Sequence, residues 1–471
     1  MRRYFFPLVF LVSSSTFAQD TLSLARAISI GLKNNFDVQI VEQNVEIARN
    51  NNTWGQAGRL PTINFNSGQN NQIIQRKPAN PFAVAGRNIS NNVTGQLDIQ
   101  FTLFDGFAIK FNKHLLGELE KLSLGNAVVV MENTVQSIVL SYYQSVLEKE
   151  RLNVLIRNQI FSKERYEYVK LKKELGNAIT FDVLQEQNNY LTDSSNVLRQ
   201  EILLRNSLRN LNRLINEDLN STYSFTDSLT YDLEPYDYNS LHRRMISSNS
   251  NLINQYTNQE ILRTNTKLFQ SNQYPSLVLN AGANGSYDQL NANFRSPTGN
   301  TIEQTVGFVN RDTSFPVYNN INEVITQPLT QVGNSYGAYG NFALRFTLFN
   351  GGQVRRSIEN ARVQEKIAQL GTDRLKLSLE NDLMATFDLY NLRRQLVTIS
   401  EVKLRAAELN LDLANERYRN GALSAIDLRI VQENYRNAAL EYTLAIYSSI
   451  ESKMELIRMS GGLINRAEIE N

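Results

Sequence analysis

The chain repeats itself, and the repeat limits its fold more than any composition figure does. Phe101-Thr-Leu-Phe-Asp-Gly106 recurs as Phe346-Thr-Leu-Phe-Asn-Gly351, an offset of 245 residues. The same offset relates Gly176 to Gly421 and Asp182 to Asp427, with no insertion in between. Earlier in each half the offset is 214, pairing Asn35 with Asn249 and Leu60-Pro61 with Tyr274-Pro275. The difference between the offsets, 31 residues, puts one insertion between Pro275 and Phe346. A chain of 471 residues would otherwise suggest two to four unrelated globular domains. The repeat replaces that expectation with two copies of one unit, at 19–237 and 238–471.

Ahead of the first copy stand Arg2-Arg3, an apolar run from Tyr4 to Val12, and Ser13-Ser14-Ser15-Thr16-Phe17-Ala18. A basic start, a short apolar core and a small-residue end are the pattern of a secretory signal peptide, here 1–18. The run is too short to span a bilayer as a helix, which takes roughly 20 residues. The mature chain is expected to be exported.

Each copy contains the same parts. Residues 22–56 carry apolar positions at mostly three- and four-residue spacing (Leu24, Ile28, Leu32, Val38, Val41, Val45, Ala48), which predicts a helix. Pro61 forces extended backbone before it. Ile63 and Phe65 then alternate with Asn64 and Asn66, and Val93, Leu97, Ile99, Phe101 and Leu103 alternate with polar residues. The second copy repeats the alternation at Leu277, Leu279, Ala281 and Ala283, then at Phe342, Leu344, Phe346 and Leu348. Period-two patterning over about ten residues, with Asn, Gln and Thr on the other face, fits a membrane strand with lipid outside and water inside. One such strand alone fits a half-buried strand of a soluble sandwich equally well. Polar segments at 70–91 and 288–333 exceed ordinary hairpin loops several-fold, and long loops on one side are the outer-membrane pattern.

Very long helical patterns follow each strand pair, at about 107–172 and 352–419, each running roughly 100 Å if unbroken. Leu389, Leu392, Leu396 and Ile399 step three-four-three as a coiled-coil seam does. Gly176 and Gly421 interrupt the patterns, and shorter helices return over about 178–216 and 422–460. Residues 217–237 read as the linker between copies.

Four membrane strands cannot close a barrel by themselves, because single-chain barrels begin at about eight strands. An open edge in lipid would leave backbone groups unpaired at several kcal/mol each. Several chains must therefore share one barrel, and three is the economical number for a water-filled interior. Mean hydropathy of −0.35 excludes a polytopic helical membrane protein. Lys and Arg total 48 against 46 for Asp and Glu, so the near-neutral charge argues against a nucleic-acid partner. The chain has no cysteine, which excludes a thiolate metal site, a cysteine nucleophile and an N-terminal lipid anchor. With two histidines, His114 and His242, the composition points away from an enzyme and calls for no cofactor or metal.

Taken together, these residues resemble the outer-membrane efflux factors of the TolC type over essentially the whole mature chain. The resemblance rests on Asn34-Asn35, the Leu60-Pro61 junction, the Phe-Thr-Leu-Phe-[Asp/Asn]-Gly strand ends and two tip segments. Those tips are Gly176-Asn-Ala-Ile-Thr-Phe-Asp-Val-Leu184 and Arg417-Tyr418-Arg-Asn-Gly421-Ala-Leu-Ser-Ala-Ile-Asp427-Leu428, with Ser460-Gly461-Gly462-Leu463 at the end of the last helix. It implies a mainly α protein with a membrane β-barrel. Three chains would form a 12-stranded barrel, four strands from each, that continues into a periplasmic 12-helix tunnel. The implied function is a passive outer-membrane exit conduit, working with a periplasmic adaptor (membrane fusion) protein and an inner-membrane pump. A periplasmic coiled-coil adaptor without a pore is the competing reading, though it leaves the alternating strands without a use.

At the tips, glycine suits a tight reversal that needs positive φ. Asp182 and Asp427 follow six residues later, where a carboxylate is favoured at a helix N-terminus. Three-fold symmetry would also turn one Asp into a ring of negative charge. The resemblance assigns Asp427 to an acidic gate ring, and Asp182 with Tyr418 to a closed-state tether. Ile430 stands where the family has a second acidic ring, Leu423 where it has a tip arginine, and Arg429 lies nearby. Adaptor docking is expected at the hairpin tips around Gly176, Thr180, Gly421 and Ser424. One decoy remains: Gly333-Asn-Ser335-Tyr-Gly337 fits the nucleophile-elbow pattern, but it falls in a polar loop that leads into a strand.

Overall fold

A computed structural model describes residues 21–77, 79, 84–231 and 235–464. The signal-peptide segment 1–18 lies outside the described residues. Chain order is β1 (Thr21–Leu22), α1 (Leu24–Asn34), α2 (Phe36–Asn51), β2 (Thr62–Arg76), β3 (Gly86–Phe104), α3 (Ala108–Glu174) and α4 (Thr180–Ile215). It continues through β4 (Ser224–Phe225), α5 (Tyr238–Ser248), α6 (Ser250–Ser271), β5 (Ser276–Phe308), β6 (Pro316–Arg345), α7 (Gln353–Arg419) and α8 (Ala425–Met459). Apart from the short β1 and β4, the order of elements in the first half recurs in the second.

Two compact units form, and they cut across the repeat. One gathers residues 1–51, 117–263 and 363–471, and the other 52–116 and 264–362. The first is helical, with a core cluster in each half. Leu22, Ala27, Ile138, Tyr142, Val146, Leu211 and Ile215 pack together in one cluster. Leu241, Met245, Leu252, Leu379, Leu383, Tyr390, Leu456 and Met459 pack in the other. Ala27 and Leu241 are related by the 214 offset, and Ile138 and Leu383 by the 245 offset, so the clusters are copies of one design.

The helix expected over 22–56 is two helices, broken at Asn35 and ending at Asn51. Asn35 is extended (φ −64°, ψ 130°), and its amide replaces the lost helical hydrogen bonds. Nδ2 donates to Leu214 O at 2.8 Å, and Oδ1 accepts the N–H groups of Asp37 and Val38. Asn249 breaks α5 from α6 the same way: Nδ2 donates to Met459 O at 2.9 Å and Oδ1 accepts Leu252 N–H. Buried backbone must be paired, and these asparagines do so while letting the chain change direction. The segment 217–237 is more than a linker. β4 pairs in parallel with β1, and Asp227 accepts hydrogen bonds from Leu24 N–H (2.9 Å) and the Tyr142 hydroxyl (2.8 Å).

The second unit is a four-stranded antiparallel sheet, ordered β2-β3-β5-β6. Register places Phe65 opposite Leu97, Leu97 opposite Ala283, and Ala283 opposite Ala338 on one face. Asn64–Asp98 and Asn280–Asn341 pairs occupy the other. Directly paired residues share a face, so the expected apolar and polar faces are both present.

The expected long loops are not loops. β2 and β3 continue to Arg76 and Gly86, and β5 and β6 continue to Phe308 and Pro316. Beyond Asn291 and Thr330 the β5–β6 hairpin has no further strand partner among the described residues and runs on as a two-stranded ribbon. Ser335 therefore lies within β6, its hydroxyl 2.9 Å from that of Ser286. A second correction concerns the repeated strand end. Phe101 to Phe104 finish β3, but β6 stops at Arg345, leaving Phe346 and Leu348 outside the strand.

Candidate functional site

The two long helices end in reversals of the same construction. α3 closes at Gly176, with φ +78°, and α7 at Gly421, with φ +75°. Gly176 N–H reaches Lys173 O and Asn177 N–H reaches Lys172 O. In the second copy Gly421 N–H reaches Tyr418 O and Ala422 N–H reaches Arg417 O. These are the paired bonds that satisfy the last carbonyls of a helix whose next residue is left-handed.

The returning helices start differently. Ser424 caps α8: its Oγ accepts Asp427 N–H at 3.1 Å, and its hydroxyl donates to Asp427 Oδ2 at 2.7 Å. α4 starts at Ile179, which has no side-chain oxygen, so Asp182 Oδ2 accepts Ile179 N–H at 3.2 Å. Both carboxylates are exposed in the first helical turn, where the dipole favours them. Thr180 and Ile430 are exposed as well.

Tyr418 and Asp182 are not joined by a hydrogen bond. The Tyr418 ring stands edge-on to Tyr168, centroids 6.0 Å apart. Burial, and next the Glu186 carboxylate, hold the Tyr418 phenol above its ordinary range, so it is protonated. Arg429 is firmly engaged: its guanidinium grips both oxygens of Asp193 (2.5 and 3.0 Å) and donates from Nε to Glu433 at 2.9 Å. Burial is the largest single influence and draws its pKa down, but the Asp193 bond and the Asp193 and Glu433 charges together outweigh it and leave the pKa raised.

Sequence reasoning did not anticipate Asp193, which is 1% exposed and 236 positions from its partner. It also missed the apolar character of the tips. Leu175, Ile179, Phe181 and Leu184 on the first hairpin, and Ile426 on the second, are all more than half exposed. Five large apolar side chains in two short segments carried a signal of their own, because solvated turns rarely hold so many.

No described family and no curated protein sequence matches this chain. Solved structures do. The CmeC outer membrane channel of Campylobacter jejuni superposes with a TM-score of 0.69 at 15% identity, covering 94% of this chain and 86% of that one. CusC, solved in work on transmembrane channel formation, gives 0.68 at 13% identity over 98% of this chain and 99% of its own. The outer membrane protein VceC of Vibrio cholerae gives 0.67 at 13% identity, covering 93% and 96%. The chain has the fold of these outer-membrane channels. That fold spans nearly all of the described residues, so the helix, strand-pair and long-hairpin order found by self-comparison is the order of a known channel architecture.

Proposed function

We propose that this protein belongs to the TolC-type efflux factors and is the passive outer-membrane conduit of a tripartite efflux or secretion system. The observation that carries the reading is the four-stranded sheet with two free edges, β2 and β6, one apolar face and one amide-rich face. Lipid does not tolerate unpaired strand edges, and pairing β6 of one copy with β2 of the next removes them all. Three copies give a 12-stranded barrel wide enough for water. The helices 108–174 and 353–419 with their returning partners supply the material of a periplasmic 12-helix tunnel. The two covalent repeats, 19–237 and 238–471, each contribute one strand pair and one long hairpin to it.

An apolar rim at Leu175, Ile179, Phe181 and Leu184, around Gly176 and Thr180, suits docking of a periplasmic adaptor. Gly421 and Ser424 mark the matching tip. The energy source would be an inner-membrane pump. In the closed state Asp427 would form the acidic ring, with Ile430 behind it as an apolar constriction. Asp182 and Tyr418 would come together as the tether. Arg429, already held by Asp193, would fix the α8 side of the gate.

The test exploits the lack of cysteine. Single cysteines are introduced along β2 and along β6, and the pairs are oxidised in membranes. Covalent trimers from β2–β6 pairs, together with single-channel conductance of the purified protein, are expected. Monomer only, without conductance, would instead favour the pore-free coiled-coil adaptor.

A further inference from the structure

The two copies differ where β3 hands over to α3. A bulge falls at Leu103: Thr102 pairs with Val278 and Phe104 with Leu277. The extra residue brings Phe104 onto the apolar face beside Phe101, which pairs with Leu279. Phe107 follows at φ +72°, a left-handed angle that a bulky residue rarely adopts. The residue 245 positions later is Gly352, at φ +74°. Glycine serves this turn in the second copy, so the phenylalanine of the first is held there for its side chain. Its exposed ring stands edge-on to Phe104 and Tyr274, with centroids 5.4 and 6.4 Å away.

Phe101, Phe104 and Phe107 line a cleft of about 480 Å³ together with Trp54, Arg59 and Lys110. The Arg59 guanidinium lies over the Trp54 ring, 4.9 Å from its centroid. Among the described residues neither that guanidinium nor the exposed Lys110 ammonium has a carboxylate or hydrogen-bond partner. Asp105, which also lines the cleft, is already engaged: its Oδ2 accepts Ile109 N–H at 2.9 Å in the first turn of α3. The second copy lacks this combination. Leu268 and Gln273 stand in place of Trp54 and Arg59, and Arg355, in place of Lys110, is paired with Glu359.

Two unmatched cations beside an apolar wall ask for a ligand that is anionic at one end and apolar at the other. A soluble anion would leave the phenylalanines in water, and a neutral acyl chain would leave the cations unmatched. Basic pockets at a membrane surface take lipid phosphates, and indole rings favour the same boundary. We propose that this cleft is a binding site for an anionic phospholipid, with its phosphate on Arg59 and Lys110 and its acyl chains along Phe101, Phe104 and Phe107. The proposal rests on the conduit reading, which sets the apolar face of the sheet against lipid, and it adds one headgroup site per chain at the margin of that face.

Trp54 is the one tryptophan of the chain, so its fluorescence reports this cleft alone. The full-length protein is reconstituted in vesicles of phosphatidylcholine and phosphatidylglycerol, one or the other brominated on its acyl chains to quench Trp54. Phosphatidylglycerol should associate about fivefold or more tightly than phosphatidylcholine, the effect of one basic residue at an anionic lipid surface. Arg59→Gln combined with Lys110→Gln, both at exposed positions, should bring the two lipids level. Arg355→Gln, the matching change in the second copy, should leave the preference intact. Phe107→Gly, which the turn accommodates in the second copy, should weaken quenching by both lipids. A preference that survives the double variant, or quenching unaltered in Phe107→Gly, overturns the proposal. Loss of the preference in inorganic phosphate at constant ionic strength would mark a free-anion site and overturns it too. Single-channel conductance is recorded on the same preparations. A conducting protein without lipid preference overturns this site alone, whereas a protein without trimers or conductance overturns the conduit reading and this site with it.

Discussion

At Gly176 and at Gly421 a β-carbon would meet no neighbouring atom within 4 Å, so space is not what demands glycine. The demand comes from the backbone, since left-handed φ costs other residues about 1–2 kcal/mol. Gly421→Ala should therefore loosen the α7–α8 reversal by about that amount, visible as faster amide hydrogen exchange at Ala422 and unchanged exchange in mid-helix. Unaltered protection at the tip would show that the reversal tolerates a side chain. Asp193→Asn is a harsher change. It leaves the Arg429 charge largely buried with one exposed partner, Glu433, and breaking such a pair typically costs about 3–5 kcal/mol. Chemical denaturation should show a loss at the lower end of that range, because Glu433 remains. Asp427→Ala tests the gate ring: weaker block by added polyvalent cations is expected in single-channel recordings, and unchanged block would remove Asp427 from the gate. The glycines and the first-turn carboxylates Asp182 and Asp427 were readable from sequence because each acts on its own neighbours. Arg429 was singled out in the sequence beside Asp427, but its partner Asp193 comes from another helix and no local spacing reveals that.

Among the elements, the two longest helices were read nearly to the residue and the strands were read too short. The expected helices at about 107–172 and 352–419 are α3 and α7, because long runs of three- and four-residue spacing leave little ambiguity. The strand extensions were hidden by their exposure. Along β2 and most of β6 nearly every residue is exposed, so the outer ribbon has no buried face to impose alternation. Asn, Gln, Gly and Thr there read as loop. The break at Asn35 was missed because the apolar spacing carries on across it. The contact between β4 and the first helices adds a pH-dependent link. The Asp227 carboxyl is held below its ordinary range, first by the Leu24 N–H and then by the Tyr142 hydroxyl. Burial, then the bond to Asp227, pushes the Tyr142 phenol up, so it remains the donor. A depressed carboxyl pKa gives stability that is present above the unfolded value near 4 and is lost as pH falls through the folded value. The thermal midpoint should accordingly drop below about pH 4 in the parent protein. Asp227→Asn should start lower at neutral pH and lose that part of the acid dependence. Parallel acid limbs would show that Asp227 contributes nothing to it.

For the whole molecule, the fold shared with outer-membrane channels was legible in outline from two features, alternating strands too few to close and helices too long for a globular core. Neither feature lies in any single motif, which is why self-comparison found the architecture where no family description matches the sequence. What the sequence could not display was the division into a helical unit and a sheet unit that each draw on both copies, since that depends on which faces meet after folding. The duplicated cores carry a last consequence. Each cluster draws its residues from one half of the chain. In the first, Ile138 Cδ1 occupies the room that any side chain at Gly31 would need; in the second, the equivalent positions hold Leu383 and Met245. The long-helix residues are equal in size, so the difference lies in the shorter helix, glycine in one copy and methionine in the other. Cores that share no walls are free to drift apart in this way, each substitution answerable only to its own neighbours. Hinges are not free, because a backbone angle or an amide that mends a broken helix admits few alternatives. The paired asparagines and glycines are therefore where the duplication shows as identical residues at both hinges, while the apolar interiors keep their positions and exchange residues of different size.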